Sequence, residues 1–233
     1  MCSSDLTGTV LVDGGVLDAN ASTSVANLTL APGGTIGGTG TLTLTGVSNW
    51  TGGGMSNTGT TAVGAGGTLN VSGTSVLMLN ARTLSNAGLT IWTNSANVNT
   101  GNGDVINNVA GGTLDFRANT SIVANQGGAP LTINNTGTVL RTTGAGTQTL
   151  DAVVNNQSGG QVTVSSGVLN LVRGGTHAGQ FTATAPGVLE FGGGTHTLNA
   201  GANMTGTGTV LVDGGVLDAN ASTSVANLTL APG

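Results

Sequence analysis

The chain has 233 residues, of which 43 are Gly, 6% are charged and 2% are aromatic, against about 25% charged in ordinary globular domains. Four arginines, no lysine and a formal net charge of −5 leave no basic footprint for phosphates, so neither nucleic acid nor an anionic membrane surface is an expected partner. A mean hydropathy of +0.23 is too high for a solvated disordered chain, and no apolar run reaches the ~20 residues of a membrane helix.

Residues 1–6, Met-Cys-Ser-Ser-Asp-Leu, contain no charged n-region and no apolar stretch, so they are not read as a signal peptide. They resemble a translated sequencing adapter and are set apart as foreign to the fold. Cys2, the sole cysteine, falls among them. The remainder has neither a disulfide framework nor a cysteine metal site. Residues 7–33, TGTVLVDGGVLDANASTSVANLTLAPG, recur letter for letter at 207–233, an offset of 200. Residues 7–206 therefore read as one long repeat unit and 207–233 as the start of an identical second unit, expected to continue into further repeats. The other reading is an assembly loop that joins one copy to itself.

Within the unit a shorter phrase recurs: Gly, a small residue or Thr, then apolar–x–apolar. It appears at Gly67–Val71, Gly112–Phe116, Gly167–Leu171 and Gly187–Phe191. Each is a period-2 strand opened by a glycine turn, and helical periodicity never persists. From residue 160 the phrases stack. Gly160–Val164 aligns with Gly179–Ala183, Leu169 and Leu171 with Leu189 and Phe191 and then with Val210 and Val212, and Gly174–His177 with Gly193–His196. Coil starts at 112, 137, 160, 179, 201 and 222 predict 19–25 residues per coil and an all-β solenoid of parallel-paired coils. One coil cannot bury its faces alone, so stacking must stabilise it. Asn107-Asn108, Asn134-Asn135 and Asn155-Asn156 suit corners, where Asn tolerates left-handed angles and its amide can pair with the next coil.

Thr41, Thr43 and Thr45 alternate with Leu42 and Leu44, and Thr205, Thr207 and Thr209 are likewise spaced by two. A flat Thr array binds ice when stacked at constant register, but these runs fall at irregular intervals and Thr is favoured on the outer side of strands. Trp50, Trp92, His177 and His196 are candidate contacts for a glycan or a partner protein. The parity of Leu89 and Ile91 predicts Trp92 facing outward. His177 and His196 each end a Gly-Gly-Thr-His phrase and are expected as neighbours on one face, a stacked pair with no third ligand for a metal. Gly101-Asn-Gly-Asp104 resembles a single calcium-binding nonapeptide turn, a motif that works only in tandem. It is read as a turn.

Carboxylates do not cluster along the chain. Asp13 and Asp18 are expected to flank a turn, and Asp115 and Arg117 to form an exposed pair on one strand. No GxGxxG, Walker loop or GxSxG elbow occurs, and SxxK is impossible without Lys. The expectation is therefore no enzyme, no catalytic residue, no cofactor and no metal.

The runs NNVAGGTLDF, NNQSGGQVTVSSGVLNLVRGG, TATAPGVLEFGGGTHTLNAG and GTGTVLVDGGVLDA resemble the repeats of bacterial autotransporter passengers and filamentous-haemagglutinin-like adhesins. The resemblance spans nearly all of 7–233. It implies a right-handed parallel β-helix, secreted and displayed at the outer membrane surface, contacting a host or neighbouring-cell protein or glycan without inserting into the membrane itself. The function expected is that of a rigid stalk or adhesin passenger. The alternatives are part of a glycan-active β-helix whose active coil lies elsewhere, or a solenoid face that binds ice or glycan.

Overall fold

A computed structural model describes residues 5–231, with side chains from Gly8 to Ala231. Cys2 and residues 1–4 of the segment set apart above lie outside the described residues. All regular structure is β, wound as about 11 parallel stacked coils. A typical coil runs Val105–Asn108, Thr113–Phe116 and Ser121–Ala124, and the next runs Thr132–Asn135, Thr138–Arg141 and Thr147–Leu150. Each strand pairs in parallel with its equivalent one coil on, which produces three faces. The first and second faces belong to a 19-stranded sheet and the third is an 11-stranded sheet. The first two merge because Asp5–Val12 and Thr23–Leu30 each run across both faces as a single strand.

Alternation of inward and outward side chains follows from the pleat. On the second face the inward column reads Leu28, Ser48, Leu69, Thr90, Leu114, Val139, Val162, Phe181 and Met204, all buried. Coil length varies from 18 residues, where Val10 pairs with Leu28, to 28, where Ile122 pairs with Leu150, wider than the 19–25 expected. The expected alignments of Gly160–Val164 on Gly179–Ala183, and of Leu169 and Leu171 on Leu189 and Phe191 and then Val210 and Val212, are observed. One coil start is displaced by a residue, because Gln180 pairs with Asn203 rather than Ala202.

Glycine is obligatory where coils close on each other. Gly175 has φ 145°, and a Cβ there would lie 1.9 Å from the Val154 carbonyl oxygen. The approach leaves Asn156↔His177 as the single register pair between Val153–Asn156 and Gly175–His177. Left-handed non-glycine residues are Asn57, Ala81, Asn102 and Asn227. The paired asparagines at 107–108, 134–135 and 155–156 instead end regular strands, which corrects the expected role of left-handed angles there.

Candidate functional site

The end of the first face carries an internal polar ladder. Asn86, Asn108, Asn135 and Asn156 occupy one inward column in register, and each is 0% exposed. Asn86 Nδ2 donates to Asn108 Oδ1 at 2.8 Å, Asn108 Nδ2 to Asn135 Oδ1 at 2.7 Å, and Asn135 Nδ2 to Asn156 Oδ1 at 2.8 Å. Each Nδ2 also donates to a carbonyl across the corner: Thr113, Thr138, Gln161 and Gln180 respectively. Both amide hydrogens of Asn86, Asn108 and Asn135 are thereby satisfied, which is the condition for burying an amide without penalty. A second ladder runs outside it with the opposite polarity, from Asn155 Nδ2 to Asn134 Oδ1 and from Asn134 Nδ2 to Asn107 Oδ1, both at 3.0 Å. The expected amide pairing between coils is thus present in two antiparallel rows.

The inner ladder ends on the histidines. The Asn156 backbone N–H donates to His177 Nδ1 at 3.4 Å, His177 Nε2 lies 3.0 Å from His196 Nδ1, and His196 Nε2 lies 3.1 Å from the Gly193 carbonyl. Those partners assign the proton to Nε2 of both rings. The rings stack with centroids 5.3 Å apart and 13° between planes, with Phe181 and Phe191 edge-on to them. Burial, reinforced at His177 by the neighbouring ring, lowers the pKa of His177 to about 3; burial likewise lowers His196 to about 4. The expected adjacency holds, but two parts of the expectation do not. The rings lie inside the column, 0% exposed, and the Gly-Gly-Thr-His phrases are not in register. His177 pairs with Leu198, and Gly175 with His196.

Two arginines are buried as well. Arg82, 1% exposed, donates from Nε to Thr61 Oγ1 and from Nη1 to the carbonyls of Gly37, Gly38 and Ser56, and from Nη2 to Thr60. Burial pushes its pKa down, countered by the carboxylate of Asp18. Arg141, 0% exposed, donates to the carbonyls of Phe116, Ala118 and Gly146 and to Asn119 Oδ1. Each guanidinium fork therefore joins several coils through backbone oxygens. No sequence signal marked either one, since Arg is ordinarily an exposed residue. Asp104 closes the Gly101–Asp104 turn as expected, accepting from Gly101 N–H and Arg82 N–H. Its burial raises its pKa.

Trp50 and Trp92 also point inward, at 0% and 2% exposure. This corrects the outward orientation expected of Trp92. The second-face column requires Thr90 and Trp92 inside, in register with Leu69 and Val71 below and Leu114 and Phe116 above. The inward Thr90 hydroxyl is satisfied by Asn86 Oδ1 at 3.0 Å, while Leu89 and Ile91 stay half-buried on the outer side. Trp92 stacks on Phe116 at 5.4 Å and meets Trp50 edge-on at 6.5 Å. Trp50, Trp92, His177 and His196, the residues nominated for glycan or partner contact, thus all lie within the interior.

The surface is sparse in chemistry. Asp115 and Arg117 pair at 2.7 Å as expected, but the Asp115 side chain is only 6% exposed beneath Arg117. Arg173 bridges to Asp151 on the preceding coil. Asp13 opens the turn between Asp5–Val12 and Val16–Asp18, but Asp18 ends the following strand, which corrects the expectation that the two flank one turn. The fold also brings together a pair that the sequence did not, Glu190 and Asp213. Partial burial and then the Asp213 charge raise the Glu190 pKa, and Glu190 Oε1 accepts from Asn170 Nδ2 at 3.0 Å. An open groove lined by Pro32, Gly54, Met55, Val76 and Met78 bears no charged side chain. Among the described residues no group of three or more His, Cys, Asp or Glu could hold a metal, and no helix is long and apolar enough to cross a membrane. Comparison with family models, curated proteins and solved structures finds no match for this chain.

Proposed function

We propose that the chain is a structural segment of a large secreted bacterial surface protein, a stiff β-helical stalk or adhesin passenger that holds a recognition element away from the cell. The observation that carries this reading is where the chemically versatile side chains go. Both histidines, both tryptophans and two of the four arginines are committed to the interior column, where they tie coil to coil. At ~4.8 Å per coil, about 11 coils make a rod roughly 50 Å long. Its outer columns are mixed in residue type: Thr41, Thr60 and Thr83 are followed by Val105. That irregularity favours a spacer over an ice-binding plane.

A glycan-active enzyme is the second reading, favoured only by the approach of Glu190 to Asp213 on the next coil. The test of the first reading has two parts. Small-angle scattering should return a rod of the stated length. Protease shaving and antibody labelling of intact source cells should find the chain at the surface, and an entirely intracellular pool would end the reading.

A further inference from the structure

The repeated 27-residue segment occupies two different places in the fold. In the first copy Val10, Leu11 and Val12 pair with Leu28, Thr29 and Leu30 on the second face. In the second copy Val210, Leu211 and Val212 pair with Leu228, Thr229 and Leu230 on the third face. The register is identical and the face is not. The two copies also differ in cover. Leu28 and Leu30 are 1% and 0% exposed, whereas Leu228 and Leu230 are 46% and 70% exposed. What covers the first copy is known: Thr29 and Leu30 pair with Asn49 and Trp50, and Val16, Leu17 and Asp18 with Thr35, Ile36 and Gly37.

We propose that the open edge of the last coil is a seat for a second copy of this unit. The Thr35–Gly37 strand of that copy lies on Val216–Asp218, and its Val47–Trp50 strand on Leu228–Leu230. Backbone edges accept any strand, but here the edge is residue for residue the edge those two strands already cover in the first copy. Trp50 of the second copy buries Leu230 as Trp50 buries Leu30. The phase of the join follows. Val10 lies on the second face of the first coil and Val210 on the third face of the tenth, so one unit advances nine turns and one face. Successive units are therefore rotated by about 120° about a common axis, a regular per-repeat rotation of the kind solenoids show. Any outer feature returns to the same side every third unit. This depends on coil register alone and stands whether or not the rod serves as a stalk.

The test extends the full chain after Gly233 with a second copy of residues 34–206, in a Cys2→Ser background. Thr229→Cys is combined with cysteine at the Asn49 position of the second copy. In-register neighbours at ~4.8 Å fall within disulfide reach. Thr29→Cys with Asn49→Cys in the unextended chain is the positive control. Near-complete crosslinking of the 229 pair supports the seat, and its absence with the control intact overturns it. For the phase, Leu211→Cys should crosslink with Glu190→Cys and not with Thr182→Cys. The reverse pattern would mean a whole number of turns per unit and overturn the rotation. Scattering from the cysteine-free extended chain should show a single straight rod lengthened by roughly 40 Å, the span of the eight added coils at ~4.8 Å each. A two-lobed particle overturns the seat even if a cysteine variant fails to fold.

Discussion

His177 Nε2 lies 3.0 Å from His196 Nδ1 although the two residues are not register partners, His177 being paired with Leu198. The stack is diagonal, made possible by the close approach of Gly175 to Val154 beneath it. It joins the polar ladder of Asn86, Asn108, Asn135 and Asn156 to the aromatic cluster of Phe181 and Phe191.

Acid should weaken this junction. Both imidazoles have folded pKa values far below the ordinary 6.5, about 3 and about 4. Between those values and 6.5 the unfolded chain binds more protons than the folded one, so stability falls as pH drops through that window. At pH 5 the loss is about 2 kcal/mol per imidazole relative to neutral pH. Urea denaturation at pH 7.5 and pH 5 measures it, and the His177→Gln, His196→Gln double variant should flatten the difference.

The inner asparagine ladder should matter more than the outer one. Asn135→Ala leaves Asn108 without its acceptor and Asn156 Oδ1 without its donor, both buried, at about 1–3 kcal/mol. Asn134→Ala removes only half-buried amide bonds and should remain under about 1 kcal/mol. Equal losses in denaturant melts would contradict the ladder's structural role.

Arg82 should not be replaceable by lysine. Its fork meets Thr61 Oγ1 and four carbonyls from the two levels of the column beneath it, and an ammonium cannot span them. Arg82→Lys and Arg82→Ala should each cost about 3–5 kcal/mol. Native-state hydrogen exchange should show the loosening centred on the turns at Gly37–Gly40 and Ser56–Thr60.

Trp50 and Trp92 should emit as buried indoles, blue-shifted and shielded from acrylamide. Trp92→Ala, which opens a cavity between Val71 and Phe116, should destabilise by about 3–5 kcal/mol. Red-shifted, freely quenched fluorescence would restore the outward orientation.

Glu190→Gln should stabilise slightly at pH 7, by under about 1 kcal/mol given its partial exposure. The raised pKa means that ionising Glu190 beside Asp213 is unfavourable in the fold, so the gain should vanish below about pH 4. A variant less stable at pH 7 would show that the charge is held favourably after all.

Much of the architecture was legible from residue order. The strands at Gln161–Val164, Gln180–Ala183, Val168–Leu171 and Val188–Phe191 could be aligned by their Gly-apolar-x-apolar phrasing, because each coil repeats the same inward pair. The asparagine pairing was legible too, since Asn recurs at equivalent strand ends. Parity of Leu89 and Ile91 alone points Trp92 outward, whereas register with Val71 and Phe116 and the Asn86 acceptor for Thr90 turn it inward. The buried guanidiniums and the Glu190–Asp213 approach left no local trace, being made between coils.

The repeated segment separates the two kinds of information. Alternation in Thr-Val-Leu-Val and the length of the loop that follows fix which side chains turn inward and that Val10 meets Leu28, as Val210 meets Leu228. Those are local properties, and identical residues reproduce them. Whether the strand lies on the second face or the third is decided by the coils already stacked beneath it, because parallel backbone pairing is blind to side-chain identity. The accumulated turns, not the 27 residues themselves, set the direction in which they point.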